Sequence, residues 1–156
     1  MIRSQDLANR LQEVLLDGKW IANTNFKEQI LSINWEQATT KVANLNTIAL
    51  LTFHINYYLK GVLQVLNGGT LDIHDKYSFD MPVISNKADW ETLVNEFLNN
   101  ATAFVNKVKN LNDEVLDSSF VDEKYGTYQR NLEAIIEHTY YHLGQISLIR
   151  KMILSN

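Results

Sequence analysis

The sequence predicts an all-α protein, a four-helix bundle with one long connection between its second and third helices. Three observations lead there. Apolar residues recur at spacings of three and four over four long stretches, the period of a helix. A single proline and six glycines in 156 residues leave little punctuation between long elements. The second and third stretches are joined by a long connection, an order that fits a bundle. Residues 1–156 read as one domain, a length that buries most of its apolar surface without staples.

The first helix is expected over residues 5–16, where Leu7, Ala8, Leu11, Val14 and Leu15 keep the helical period. Asp17-Gly18 supplies its stop, with glycine accepting the left-handed conformation that a helix end often needs. Residues 19–40 hold Trp20, Phe26, Ile30, Leu31, Ile33 and Trp35 without clean periodicity, and read as short helical turns and loop over one end of the core. The second helix is expected over 42–66, with Leu45, Ile48, Leu51, Ile55, Leu59, Val62 and Leu66 in one stripe. Leu50, His54, Tyr57, Tyr58, Gly61 and Val65 lie mostly beside it, and so wide an apolar arc requires more than one neighbour. Asn67-Gly68-Gly69 ends it.

Residues 70–86 contain the only proline, together with Asp72, His74, Asp75 and Asp80, and read as the long connection. Asn86, with Asp89 in the first turn, has the form of an N-cap. The third helix follows, with Trp90, Leu93, Val94, Phe97, Ala101, Phe104, Val105 and Val108 on one face. Residues 118–128 read as a short irregular hairpin turning near 123–126. Thr127 is placed to cap the last helix, which runs to about Leu154.

Composition narrows the function. A formal charge of −4 without a basic stripe argues against a nucleic-acid partner. The absence of cysteine excludes disulfides, zinc ribbons, iron–sulfur sites and a thiol nucleophile. A metal must therefore be held by histidine or oxygen, and any thiol must come from a substrate or cofactor. The polar start lacks the apolar core of a signal peptide, and the run Ile48–Leu51 is too short for a bilayer. These features lead to the expectation of a cytoplasmic protein with no membrane partner.

Chemistry concentrates in His138-Thr-Tyr-Tyr-His142-Leu-Gly-Gln-Ile146 and one distant histidine, His54. Two histidines four apart on a helix share a face, about 6 Å apart along the axis and roughly 40° around it. Their rings can converge on one ion, and a third imidazole from another helix completes a three-ligand site with open positions. Taken singly, each histidine reads as a core residue satisfied by a tyrosine or a carbonyl. Together, three of the four histidines fall at inward helix positions, where a shared ion offsets the cost of burying them. The fourth, His74, lies among acids in the connection and reads as solvated.

The second-helix segment Leu51-Thr-Phe-His54-Ile-Asn-Tyr-Tyr58 and the last-helix pattern His138-x-x-Tyr141-His142-x-Gly144-Gln145-Ile146 resemble the DinB-like, YfiT-like four-helix-bundle family, described as metal-dependent hydrolases. The resemblance covers essentially the whole chain. It implies His54, His138 and His142 as ligands of a divalent metal such as zinc or nickel, a small-molecule substrate and, as in many members, a homodimer. Relatives include bacillithiol- and mycothiol-dependent transferases. Such an ion would activate water, as in a hydrolase, or a low-molecular-weight thiol, as in an S-transferase. The alternative is a non-catalytic bundle that binds a metal or small ligand.

Supporting roles fall to neighbours in sequence. Gln145, three residues past His142, is on the correct side to orient its ring, and Asn131 lies before His138. Tyr57 and Tyr58 follow His54 by about one turn and are candidates to line a pocket. Glu137 sits about 100° around the helix from His138, so no general base stands out. Specificity is expected from loops 70–86 and 120–128.

Overall fold

Four long helices carry the fold, each built around an apolar face. In the computed structural model, which describes residues 2–155, these are α1 (Ile2–Gln12), α4 (Ile48–Leu66), α5 (Lys87–Lys109) and α7 (Tyr128–Leu154). Shorter helices α2 (Phe26–Leu31), α3 (Trp35–Thr39) and α6 (Asp113–Asp117) lie between them. The fold is all-α: among the described residues there is no strand, only one isolated antiparallel bridge between Ser119 and Thr127. None of the helices is long and apolar enough to cross a membrane.

The helix α1 packs on α5 and α7, and α4 packs on the same two partners. Each helix thereby covers its stripe from two sides. In α4 the stripe Ile48, Leu51, Ile55, Leu59, Val62 and Leu66 is buried, as is the whole predicted face of α5. Phe26 of α2 closes one end of the core, stacked on Phe97 of α5 with ring centroids 5.1 Å apart. Asn100 Nδ2–H donates to Asn56 Oδ1 across α5 and α4 at 2.9 Å, which offsets part of the cost of placing amides in an apolar seam.

Several boundaries differ from those read in the sequence. The second long helix begins at Ile48 rather than residue 42, because the Thr47 hydroxyl accepts the Leu50 amide as an N-cap. Ala43 just upstream sits at φ 48°, and Leu45 is 43% exposed, off the buried stripe. The first helix starts at Ile2 and continues past Gln12 in a wider π-helical turn, Glu13–Asp17. Gly18 ends that turn at φ −84°, not in the left-handed region; a Cβ there would collide with Glu13, including its backbone. Steric closeness, not backbone handedness, calls for glycine at this position. Gly68, at φ 87°, does take the left-handed conformation after α4.

The unanticipated α6 is a single capped turn, with Asn112 accepting from the Val115 amide and Leu116 buried. After it, the expected hairpin is reduced to one bridge and a 3₁₀ turn (Glu123–Tyr125), closed by Phe120 N–H donating to Gly126 at 2.8 Å. Thr127 caps α7 by accepting from the Arg130 amide. The connection 67–86 folds back along α4 and contains a second 3₁₀ turn, Asp75–Tyr77.

Candidate metal centre

Packing of α4 on α7 brings His54 against the i,i+4 pair His138 and His142. His54 and His142 are buried and His138 is half-buried. Nε2 of His138 lies 3.2 Å from Nε2 of His54 and 3.0 Å from Nε2 of His142. All three candidate donor atoms fall within 4.8 Å of one another, and the rings meet edge to face.

The outer nitrogens determine what the inner ones carry. Nδ1–H of His54 donates to the Ser78 carbonyl at 3.2 Å, and Nδ1–H of His142 donates to Oε1 of Gln145 at 2.7 Å. In a neutral imidazole that leaves a lone pair on Nε2 of both. His138 has at most one Nε2 proton for two facing acceptors, so the trio cannot satisfy itself. A cation at the point of convergence can satisfy all three, and histidine nitrogens suit zinc, copper, iron and nickel alike. Burial keeps the rings neutral and so able to bind one. It lowers the His138 pKa to about 4, assisted by the two neighbouring imidazoles, and pushes those of His54 and His142 down as well.

The surroundings fix the rings further. Phe79 stacks on His54 at 4.0 Å with its plane tilted 6°, and Tyr58 stands edge-on to His54 and His138. The Tyr58 hydroxyl donates to Asp75 at 2.7 Å. Burial first, and then this bond, raise its pKa to about 12, so Tyr58 stays protonated. Beside His138 opens a cleft of about 670 Å³, walled by Tyr58, Ile73, Asp75, Phe120, Asn131 and Ile135 among others. Both of its loop walls come from the segments expected to set specificity.

Residues singled out in the sequence take distinct positions. Gln145 contacts His142 directly. Asn131 lines the cleft but spends its amide on the carbonyls of Tyr125 and Thr127, tying the turn to α7. Tyr57 is not among the residues that wall the cleft and holds the backbone of His74. Glu137 pairs with Arg130 on the surface at 3.3 Å, away from the rings. His74 lies 3.3 Å from Asp72, outside the trio. Ser78 and Phe79 were not legible beforehand: a backbone carbonyl has no residue signature, and a loop phenylalanine has no period to place it. No protein-family model, curated protein or solved structure matches the chain.

Proposed function

We propose that this chain is a DinB-like four-helix bundle that holds one divalent metal ion, zinc or nickel, on Nε2 of His54, His138 and His142 and acts as a metal-dependent enzyme on a small molecule. The observation that carries the reading is the convergence of three Nε2 atoms, two of them held as lone pairs by Ser78 and Gln145. A structural zinc site takes four protein ligands and closes; three ligands beside an open cleft leave room for chemistry. An ion held there supplies Lewis acidity, lowering the pKa of a water or thiol that reaches it.

The chain's own groups do the rest. Ser78 and Gln145 hold two rings in the required tautomer, Phe79 covers one face of His54, and Tyr58 stands at the cleft wall with its hydroxyl donating to Asp75. Since the chain has no cysteine, a thiol reaction takes its sulfur from a low-molecular-weight thiol. Hydrolysis and thiol transfer are separated by assay: tag-free, metal-loaded protein is offered activated esters and amides, then a generic electrophile with several small thiols. Turnover that disappears with a chelator and returns with zinc or nickel supports the proposal. Full metal loading without turnover in either panel would reduce the protein to a metal-binding bundle. A second copy of the chain is the proposed partner, supported by the exposed α7 row Tyr141, Leu148 and Met152 and tested by sedimentation equilibrium.

A further inference from the structure

Tyr57 lies three residues after His54 on α4, yet it is not among the cleft's walls and its hydroxyl bonds the connection instead. It donates to the His74 carbonyl at 3.1 Å and accepts from the His74 amide at 2.8 Å, holding both polar groups of one residue. The same carbonyl accepts from the Tyr77 amide at 2.8 Å. One residue along, the Asp75 carbonyl accepts from the Ser78 amide and hydroxyl at 3.1 and 2.8 Å. Ser78 is buried, and its own carbonyl accepts from Nδ1–H of His54. A continuous relay therefore leaves α4 at Tyr57, passes through the 3₁₀ turn and returns to α4 at His54. Gly61, one turn further along, admits the Ile73 side chain to the space a Cβ would fill.

We infer that Tyr57 is a positioning residue of the metal centre: by clasping the connection it holds the Ser78 carbonyl against His54 and so keeps a lone pair, rather than a proton, on Nε2. With the carbonyl withdrawn, His54 is free to move its proton to Nε2, where it faces His138 and blocks the ion. Outer partners of this kind are worth roughly 10–100-fold in metal affinity when they touch the ligand directly. Tyr57 acts one step removed, so about tenfold is expected. The inference rests on His54 being a ligand, but its primary readout needs no metal.

That readout is the imidazole ¹⁵N spectrum of metal-free protein, wild type against Tyr57→Phe and, as a second variant with the hydroxyl intact, Gly61→Ala. The wild type is expected to hold His54 in the single tautomer protonated at Nδ1, and both variants to show a mixture. Amides of Tyr77 and Ser78 should exchange faster in both. An unchanged His54 tautomer in folded Tyr57→Phe would overturn the inference, whatever the melting temperature does, since a merely structural tyrosine shifts stability alone. Zinc titration is then read separately: no binding by wild type would sink the metal reading without touching the tautomer result.

Discussion

At Nε2 a neutral imidazole can present a lone pair or a proton, and the partner of its other nitrogen decides which. That choice makes Gln145 the most informative single residue outside the trio. Gln145→Ala removes the 2.7 Å acceptor of His142 Nδ1–H and should weaken zinc binding roughly 10–100-fold in a competition with a chromogenic chelator, the helical circular dichroism unchanged. Binding within twofold of wild type would mean that the His142 tautomer is fixed some other way. Protonation provides an independent check. With the folded pKa of His138 near 4 and those of His54 and His142 also depressed, the unfolded chain binds more protons between about pH 6.5 and 4. Stability of the metal-free protein should therefore fall as pH drops through that window. The fall should be shallower for His138→Gln in urea titrations at successive pH values.

At the scale of elements, the site is a product of helix register plus one folded connection. The register was legible: His138 and His142 are four apart, and the apolar period of α7 turns both inward, so their meeting with His54 needed only that α4 and α7 be neighbours. The connection was not legible, because 3₁₀ turns and carbonyl positions follow from docking on α4 rather than from any period in residues 70–86. Gly61 is the point at which that docking is tightest. Gly61→Ala should displace Ile73 and speed amide exchange through the Asp75–Tyr77 turn, even though alanine favours the helix by about 1 kcal/mol. Exchange identical to wild type would show that the connection accommodates the methyl. Helix starts behave differently, being local. Thr47→Ala deletes the cap that begins α4 at Ile48 and should cost about 1 kcal/mol in chemical denaturation.

For the whole molecule, stability and chemistry draw on separate parts of one core. Phe97 is fully buried against Phe26, on α5, which supplies none of the three histidines. Phe97→Ala should lose about 3–5 kcal/mol of unfolding free energy while the folded fraction binds zinc with near-native affinity. A proportionate loss of zinc affinity would tie the site to global packing instead. Whether His54, His138 and His142 share one ion is decided by anomalous diffraction from crystals of tag-free protein soaked in zinc. A shared ion gives a single strong peak at roughly 2.0–2.1 Å from each of the three Nε2 atoms, absent in His142→Ala. Crystals in which zinc sits elsewhere, or in which the peak survives His142→Ala unchanged, would contradict a shared ion.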